Sequence, residues 1–328
     1  MTGRTLTARH ERFEIRGGFT ISRGSRTHAD VVVVEVRQGD AVGRGECVPY
    51  PRYGESIEQT LAAIEGQRAS IEAGADRAAL GQALKPGAAR NALDCALWDL
   101  EAKLAGKPAW QLAGLIGPQP LTTAFTLSLG TPETMAEGAR GAADRPLLKI
   151  KLGGEGDPDR IRAVRAAAPR ARLIVDANEA WQPEQVSPYL AVMAECGVEL
   201  VEQPLPAGQD AMLAEVVHLV PLGADESVHA RDGLPALRGR YDIVNLKLDK
   251  TGGLTEALAF AAEAERLGFG LMVGCMLGTS LGMAPAILVA QRARFVDLDG
   301  PLLLAEDRTP GLRYDSSTVH PPDPSLWG

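Results

Sequence analysis

Residues 147–202 read LLKIKLGGEGDPDRIRAVRAAAPRARLIVDANEAWQPEQVSPYLAVMAECGVELVE. Three short apolar runs alternate here with two helix-length segments, and the runs end in the ionisable residues Lys151, Asp176 and Glu202. These three residues are 25 and 26 positions apart, which fits one strand and one helix per step. Such alternation is typical of a parallel sheet, because each helix returns the chain to the start of the next strand.

The same spacing continues along the chain. Asp225 and Lys247 close the next two runs, 23 and 22 positions further on, and runs at 271–274 and 294–297 extend the series. Counting from the run at 122–128 gives eight strands, which predicts an α/β fold of the (β/α)7β TIM-barrel type with the ionisable residues at its C-terminal mouth. An open doubly wound sheet is disfavoured, because no glycine-rich phosphate loop follows an early strand of the sequence.

The chain before the barrel has a different pattern. β-branched runs at 13–15, 30–36 and 41–47 are separated by Gly17-Gly18 and Gly39-Asp40, which predicts an antiparallel meander with two turns. A longer amphipathic helix is predicted at 90–104. We therefore predict an α+β capping domain over residues 1–118, a modified TIM barrel over 119–300, and a tail, 301–328, that returns to the capping domain.

Composition and charge disfavour several classes of partner. The chain has 328 residues, 34 Lys and Arg against 42 Asp and Glu, and a formal net charge of -8. Nucleic acids and anionic membranes attract basic proteins, so we expect neither as a partner. The four cysteines are too far apart for a zinc clip or a disulfide framework, and the N-terminus lacks the apolar run of a secretory signal. These features predict a cytoplasmic protein.

Three acidic residues end successive predicted strands. In a barrel, Asp176, Glu202 and Asp225 would converge from adjacent strands and direct oxygen atoms to one ion. Carboxylates without a nearby His or Cys suit a hard cation, and Mg²⁺ is the first choice. A single acidic residue at a strand end is more often a helix cap or a solvated loop residue, but three in register predict a metal site.

Lysines form a second set at the strand ends. Lys149 and Lys151 are two apart on one strand, so their side chains face the same side, about 6.6 Å apart along the chain. At an effective dielectric constant near 20 their repulsion is about 2.5 kcal/mol, which predicts a decrease of roughly two units in the pKa of one lysine. Lys247 lies four strands further on, across the predicted mouth, which suggests two amines that exchange a proton with opposite faces of a substrate.

Charged residues elsewhere provide candidate contacts to the substrate. Asp297 and Asp299 end the last strand, two positions apart, and an acidic pair suits a substrate ammonium group. Arg23 and Arg26 flank Gly24-Ser25, which we interpret as a turn, and would reach a substrate carboxylate if this loop covers the mouth. A solvated acidic loop and solubilising surface arginines are the alternative interpretations.

Taken together, these residues resemble the enolase superfamily and, within it, the muconate-lactonising subgroup. The resemblance covers essentially the whole chain, and its motifs occur in family order and spacing: Lys149-Ile-Lys151, Asp176-Ala-Asn178, Glu202-Gln203-Pro204, Asp225-Glu226-Ser227 and the stretch from Asn245 to Gly253. The chain is more closely similar to the L-Ala-D/L-Glu epimerases, which act on murein-derived dipeptides. The residues that indicate this are Asp297-Leu-Asp299 and the stretches 23–26, 50–56 and 274–280.

The resemblance implies a role for each candidate residue. Asp176, Glu202 and Asp225 would hold one Mg²⁺ per subunit, and Lys151 and Lys247 would be the two acid/base residues. Lys149 would tune Lys151 and contact the substrate carboxylate, and Asp297 and Asp299 would hold the ammonium group. Either Arg26 or Arg23 would hold the glutamate side chain, and Arg26 is preferred. Met276 and Tyr53 would also contact the substrate, and Asn178 and Asn245 would support the metal ligands.

The implied reaction is the epimerisation of a small dipeptide, L-Ala-L-Glu to L-Ala-D-Glu. It would proceed by two-base 1,1-proton transfer through an enediolate that the metal stabilises. An o-succinylbenzoate synthase, an N-succinylamino acid racemase and an epimerase of another dipeptide are alternatives within the fold. A metal-binding scaffold without turnover is the alternative from another class. The first residue of the dipeptide, the biological pathway and a homo-oligomeric state stay open at this point.

Overall fold

The computed structural model describes residues 3–328 and begins with a three-stranded antiparallel sheet. Its strands are β1 (Arg4–Ile21), β2 (Gly24–Gln38) and β3 (Ala41–Cys47). The predicted turn at Gly39-Asp40 is confirmed. The turn between β1 and β2 lies at Ser22-Arg23, and Gly24-Ser25 belongs to β2, so the predicted position was wrong. Gly17 and Gly18 form a register shift within β1 and no turn, because their positive φ angles bulge one long strand.

Five helices follow this sheet. They are α1 (Ile57–Glu65), α2 (Arg68–Glu72), α3 (Arg77–Ala83), α4 (Ala88–Ala105) and α5 (Ala109–Leu112), and a 3-10 turn at Pro51–Tyr53 precedes them. α4 packs directly on β3, because Gly43 and Gly45 bring no side chain to the contact. A Cβ atom at Gly45 would lie 2.0 Å from the carbonyl oxygen of Ala92.

Eight parallel strands form the second sheet, and their spatial order follows the chain. They are β5 (Phe125–Leu127), β6 (Leu147–Lys151), β7 (Arg172–Asp176), β8 (Val198–Glu202), β9 (Leu222–Ala224), β10 (Ile243–Leu246), β11 (Gly270–Gly274) and β12 (Phe295–Asp297). The sheet closes because the N–H of Ala124 donates to the carbonyl oxygen of Val296 at 2.8 Å. The predicted α/β barrel is confirmed.

Helices connect most of the barrel strands. They are α6 (Pro132–Gly141), α7 (Asp157–Ala167), α8 (Pro183–Glu195), α9 (Leu248–Thr251), α10 (Leu254–Arg266) and α11 (Ser280–Ala290), and α12 (Gly300–Leu303) follows the last strand. The connections after β8 and β9 contain 3-10 turns, Ala211–Glu215 and Arg231–Leu237, where one helix per step was predicted. Pro235 lies inside the second turn and lacks the N–H that an α-helix interior requires.

The barrel interior contains one apolar layer below the mouth. It consists of Ala124, Leu147, Ile174, Leu200, Ile243, Met272 and Phe295, all buried. Side chains at alternate strand positions point outward and pack under the helices, as Leu148 and Ile150 do. Since side chains alternate with a period of two, the next inward positions lie two residues further along each strand, at the mouth.

The segment after the barrel contacts the N-terminal domain. β13 (Tyr314–Asp315) and β14 (Thr318–Val319) form a small sheet with β4 (Leu121–Thr122). The indole N–H of Trp327 donates to the carbonyl oxygen of Cys95 at 3.0 Å, and Arg308 pairs with Glu46 of β3 at 2.8 Å. Among residues 3–328, no helix combines the length and hydrophobicity needed to cross a bilayer.

Candidate active site

The inward-facing side chains change from apolar to polar at the mouth of the barrel. Two residues beyond the apolar layer lie Thr126, Lys149, Asp176, Glu202, Asn245 and Asp297, each at most 6% exposed. Asp225 has the same place on the ninth strand of the chain, two residues after Gly223. The two-residue period of seven different strands therefore gathers these groups, which are far apart in sequence, into one layer.

Lys149 lies between three carboxylates. Its Nζ is 2.7 Å from Glu202 Oε2, 2.7 Å from Asp297 Oδ2 and 3.4 Å from Asp176 Oδ2. Burial alone would lower the pKa of Lys149, but the carboxylates outweigh burial and hold it well above its ordinary value. The predicted decrease for one lysine of the pair therefore does not occur at Lys149. Barrel closure brings Asp297 of β12 to this lysine, and strand spacing alone does not reveal that contact.

The other two lysines each pair with one carboxylate. Lys151 Nζ donates to Asp176 Oδ2 at 2.6 Å, and Lys247 Nζ donates to Asp225 Oδ2 at 2.7 Å. β6 and β10 are four strands apart in a ring of eight, so Lys151 and Lys247 lie on opposite sides of the mouth. Burial opposes the charge of Lys247, yet Asp225 and Glu202 raise its pKa well above the ordinary value. Two lysine side chains thus face one space from opposite sides.

The three acidic residues of β7, β8 and the end of β9 differ in their electrostatics. Burial would raise the pKa of Asp176, but Lys151 and Lys149 lower it to about 2. Lys247 and Lys250 likewise outweigh burial and hold the pKa of Asp225 well below its ordinary value. The pKa of Glu202 is raised, first by burial and then by Asp176. Lysines thus keep two of the three carboxylates ionised.

Unpartnered oxygen atoms surround these carboxylates. Within residues 3–328, five buried side-chain oxygens have no hydrogen-bond partner, and all belong to residues at the mouth: Asn178 Oδ1, Glu202 Oε2, Glu226 Oε2, Asn245 Oδ1 and Asp297 Oδ1. Lys149 lies 2.7 Å from Glu202 Oε2 as an ion pair without the alignment of a hydrogen bond. Burying an acceptor without a hydrogen-bond donor lowers the stability of the fold. A site whose unsatisfied atoms are all oxygen acceptors therefore fits a bound cation.

Two asparagines support the acidic residues. The backbone N–H of Asn178 donates to Asp176 Oδ1 at 2.9 Å, and Asn245 Nδ2 donates to Glu202 Oε1 at 2.6 Å. The Asn245 side chain fits here because Gly274 has no side chain. A Cβ atom at Gly274 would lie only 2.7 Å from Asn245 Oδ1. In the described chain no three His, Cys, Asp or Glu side chains already surround a common point. Asp176 and Asp225 direct oxygens to lysines instead, and these carboxylates are the donors that Mg²⁺ prefers.

Asp297 and Asp299 line the same cavity as the lysines. Asp297 Oδ2 accepts from Lys149, and Asp299 Oδ2 accepts from the backbone N–H of Thr126 at 2.6 Å. Burial and the neighbouring Asp297 raise the pKa of Asp299 to about 7. The acidic pair is therefore only partly compensated by the protein, and Lys149 provides one neutralising contact that we did not predict.

The two arginines of the N-terminal domain have different surroundings. Arg23 Nη2 lies 2.8 Å from Glu226 Oε1, and Arg23 Nη1 lies 3.2 Å from Glu179 Oε2. Arg26 is exposed, its guanidinium carbon lies 5.3 Å from the centroid of the Tyr50 ring, and it makes no ion pair among residues 3–328. Both line the cavity. Arg23 thus pairs with two protein carboxylates, whereas Arg26 pairs with none among residues 3–328.

The remaining predicted contacts also lie at the cavity. Met276 and Tyr53 line it, and the ring of Tyr53 packs against His229 with centroids 4.4 Å apart. Burial, followed by the charge of Asp225, raises the pKa of Tyr53. One cavity therefore brings together side chains from the N-terminal domain and from the barrel.

Sequence reasoning missed three charged residues at the mouth. Lys250 Nζ is buried and donates to Asp225 Oδ1 at 2.6 Å and to the carbonyl oxygen of Asn245 at 2.9 Å. Its signal was present, since Lys250 follows Lys247 by three positions, one helical turn. Glu226 and Glu179 both pair with Arg23. Arg23 lies on the hairpin of the N-terminal domain, and the spacing of the barrel strands does not predict where that hairpin lies.

An eight-stranded barrel with paired lysines and carboxylates at its mouth, covered by an α+β domain, defines the enolase-type class of barrel enzymes. The chain belongs to the mandelate racemase and muconate lactonizing enzyme family within it. Residues 3–114 match the Mandelate racemase / muconate lactonizing enzyme, N-terminal domain, and residues 134–324 match the Enolase C-terminal domain-like family.

Several characterised proteins are similar over nearly their whole length. The L-Ala-D/L-Glu epimerase of Escherichia coli K12 is 47% identical, with 97% of this chain and 99% of that protein covered. An N-acetyl-D-glutamate racemase of a Pseudoalteromonas species is 43% identical, with 91% and 95% covered. The named relatives are epimerases and racemases, so the chain is an enzyme of the isomerase class.

Solved structures agree in fold and carry ligands. An enolase family member from Agrobacterium tumefaciens with homology to dipeptide epimerases has bound sodium and L-Ala-L-Glu. It is 62% identical with a TM-score of 0.98, and the match covers 99% of this chain and all of that one. A dipeptide epimerase from Methylococcus capsulatus, complexed with Mg and L-Arg-D-Lys, is 30% identical with a TM-score of 0.90 over 98% of both chains.

Proposed function

We propose that this protein is a dipeptide epimerase and that L-Ala-L-Glu is its substrate. The observation that carries the proposal is the position of Lys151 and Lys247, which line one cavity from opposite sides of the barrel. Inversion at a carbon atom needs a proton removed from one face and another delivered to the opposite face. Two amines across one space have this arrangement.

We propose that Asp176, Glu202 and Asp225 hold one Mg²⁺. The buried Glu202 Oε2, which has no hydrogen-bond partner, and the all-oxygen donor set support this choice. A bound Mg²⁺ supplies Lewis-acid stabilisation of the negative charge that develops on the substrate carboxylate. Asn178 and Asn245 orient the carboxylates through the hydrogen bonds described above.

The lysines carry the proton transfer. In the L to D direction, the neutral amine of Lys151 takes the α-proton of the second residue, and the electron pair of the C–H bond moves toward the adjacent carboxylate. The ammonium group of Lys247 then delivers its proton to the opposite face of the α-carbon. One lysine gains a proton and the other loses one, so the reverse reaction restores both. Lys149 contributes a fixed positive charge beside the carboxylates of the metal site.

Two further sets of residues are proposed to bind the ends of the substrate. Asp297 and Asp299 are proposed to bind the N-terminal ammonium, and Arg26 to bind the glutamate side chain, since Arg26 has no protein carboxylate as partner in residues 3–328. A second candidate is racemisation of an N-acylated glutamate. The pairing of Asp297 with Lys149 favours it, because this contact reduces repulsion of a substrate without an ammonium group, and the Pseudoalteromonas relative is named for such a substrate.

Proton NMR in D₂O tests the proposal. Purified protein with Mg²⁺ should remove the glutamate α-proton signal of L-Ala-L-Glu and produce the signals of L-Ala-D-Glu. N-Acetyl-L-glutamate and N-succinyl amino acids serve as competing substrates. Loss of the α-proton signal from the N-acyl compounds alone would support the second candidate and exclude the first.

Single-base variants test the assignment of the two faces. We expect Lys247→Ala to lower the rate of net epimerisation by about 10²-fold to 10⁴-fold or more. The α-proton of L-Ala-L-Glu should still exchange with solvent in this variant. Lys151→Ala should show the opposite preference and exchange only L-Ala-D-Glu. Exchange of both epimers by Lys247→Ala would contradict the two-base mechanism.

Chelation tests the metal. EDTA should stop exchange, and added Mg²⁺ should restore it. A thermal shift offers a second readout, because a ligand that binds only the native state raises the melting temperature. Full activity after exhaustive chelation, with no Mg²⁺-dependent shift, would contradict the metal assignment.

A further inference from the structure

One carboxylate outside the cavity joins four separate segments. Glu179 follows β7, and Arg52 contacts it twice, from Nε to Oε2 at 2.8 Å and from Nη2 to Oε1 at 2.7 Å. Arg23 Nη1 donates to Oε2 at 3.2 Å, and the backbone N–H of Ala207 donates to Oε1 at 2.8 Å. Both oxygens thus accept from two partners each, and the partners come from two parts of the N-terminal domain and from the loop after β8.

The side chain is well shielded. Glu179 is 8% exposed, whereas its partner Arg52 is 39% exposed. Bidentate contacts between Arg and a carboxylate fix distance and orientation together, and shielding from water strengthens them. The contact is therefore suited to hold a surface segment in one position.

The backbone at this point is unusual. Asn178 and Glu179 have φ angles of 45° and 66°, and such angles are uncommon for residues other than glycine. Asn tolerates this region better than Glu does. The N–H of Glu179 donates to the carbonyl oxygen of Gln203 at 2.9 Å, which helps to hold the conformation. Strained conformations persist where the surrounding structure determines them, and they cluster at sites with a function.

The segments bound to Glu179 form part of the cavity wall. We call residues 19–26 the hairpin tip and residues 50–55 the 50s turn. Phe19, Ile21 and Arg26 of the hairpin tip and Tyr50 and Tyr53 of the 50s turn line the cavity, and Glu179 does not. Glu179 therefore contacts the two segments behind the surface that a ligand would meet.

The hairpin tip has other polar contacts with the barrel, including Arg23 Nη1 to the carbonyl oxygen of Asn178 at 3.0 Å and the N–H of Thr20 to Ser128 Oγ at 3.3 Å. Ser22 Oγ donates to the carbonyl oxygen of Asn178 at 2.9 Å, and Arg23 Nη2 contacts Glu226 at 2.8 Å. The N–H of Leu129 donates to the carbonyl oxygen of Thr20 at 3.0 Å. The loop that carries Glu179 thus provides a large share of the polar contacts that attach the hairpin tip to the barrel, and it attaches the 50s turn as well.

We propose that Glu179 is a positioning residue that holds the hairpin tip and the 50s turn over the mouth of the barrel. Through these segments it sets the affinity for the substrate without touching it. The effect on substrate affinity rests on the proposed epimerase function, whereas the effect on the two segments does not. Glu179→Ala keeps a Cβ atom at the same positive φ angle, so the variant removes the carboxylate without changing the backbone strain.

Hydrogen–deuterium exchange of the full-length protein without substrate tests the positioning. Peptides that cover the hairpin tip and the 50s turn should exchange about tenfold faster or more in Glu179→Ala, and core strands should not change. Glu199→Ala is the matched control, because Glu199 accepts from Arg172 at 2.9 and 2.7 Å with the same bidentate geometry at the other end of the barrel strands. Unchanged exchange in both segments, or an equal increase throughout the chain, would overturn the proposal.

Kinetics and a double variant complete the test. With L-Ala-L-Glu, Glu179→Ala should raise KM at least about fivefold and change kcat less than about twofold. The double variant Arg52→Ala/Glu179→Ala should accelerate exchange of the 50s turn no more than Glu179→Ala alone. Each substitution removes the same contact, that between Arg52 and Glu179. Faster exchange without a change in KM would overturn the role in substrate affinity. Absence of turnover in the unmodified protein would refute the epimerase function and leave the exchange test valid.

Discussion

Replacing Asp299 by Asn should weaken binding of a substrate with a free ammonium group and leave binding of an N-acylated substrate nearly unchanged. Asp299 lines the cavity, and its Oδ2 accepts from the N–H of Thr126 at 2.6 Å. An Asn side chain retains an oxygen for this hydrogen bond. The variant therefore removes a charge from the cavity while the contact with β5 persists.

The size of the effect follows from the burial of the carboxylate. Burial and Asp297 raise the pKa of Asp299 from 3.8 to about 7, so ionising this group in the free protein costs about 4 kcal/mol more than in water. An ammonium group stabilises the ionised form. A hydrogen bond to a charged group contributes about 1.5 to 3 kcal/mol, which predicts a rise of roughly 10-fold to 150-fold in the KM of L-Ala-L-Glu.

The same reasoning gives the sign of the pH dependence. A cationic substrate binds the ionised carboxylate, so affinity is highest above the pKa of about 7 and falls as the pH decreases through it. Affinity falls again above a pH of about 8, where a terminal amine loses its proton. Asp299→Asn should lose the acidic limb of this profile and keep the alkaline one.

The assay compares two substrates and two variants. KM for L-Ala-L-Glu and the binding or inhibition constant of N-acetyl-L-glutamate are measured at pH 6 and near pH 7.5. Asp307→Asn is the control, because Asp307 also accepts from a backbone N–H, that of Ser280 at 3.1 Å, and does not line the cavity. An equal loss of affinity for both compounds in Asp299→Asn would refute the assignment of this residue to the ammonium group.

Four further variants test the stability and selectivity that the structure implies. Burial raises the pKa of Asp249 from 3.8 to about 7. The contribution of Asp249 to the free energy of unfolding therefore falls by on the order of 4 kcal/mol as the pH rises from about 4 to 7. Urea unfolding of Asp249→Asn should lack this decrease of stability with pH. Gly45→Ala should lower the free energy of unfolding by about 2 kcal/mol or more, measured as a lower urea midpoint, because its Cβ would meet the Ala92 carbonyl oxygen at 2.0 Å. Arg26→Gln should raise KM for L-Ala-L-Glu about tenfold or more and spare L-Ala-L-Leu, whereas Arg23→Gln should affect both; equal effects of Arg26→Gln on both dipeptides would contradict its assignment.

The regular part of the molecule was accessible from sequence because it is periodic. The positions of Lys151, Asp176, Glu202, Asp225 and Lys247 repeat at intervals set by one strand and one connection, and a period of two within each strand fixes the face. Barrel geometry then requires these side chains to meet at one mouth. Few other arrangements of eight such units satisfy the short connections between them.

The hairpin shows why local turn signals were less reliable. Gly24-Ser25 has the composition of a turn, yet it lies in β2, and the chain reverses at Ser22-Arg23. Pairing along the two long strands fixes the register, and that pairing depends on contacts up to 34 positions apart, such as Arg4 with Gln38. Long-range pairing therefore overrode a local preference.

Lys149 shows the same limit within the site itself. Considered beside Lys151 alone, it faces a like charge, and repulsion predicts a lowered pKa. In the folded chain it lies 2.7 Å from both Glu202 and Asp297, and the latter contact exists because the last strand of the barrel closes against the first. The sign of the electrostatic effect thus depends on topology. A list of charged strand ends identifies which groups meet, but the electrostatics follow only when the order in which the strands surround the axis is known.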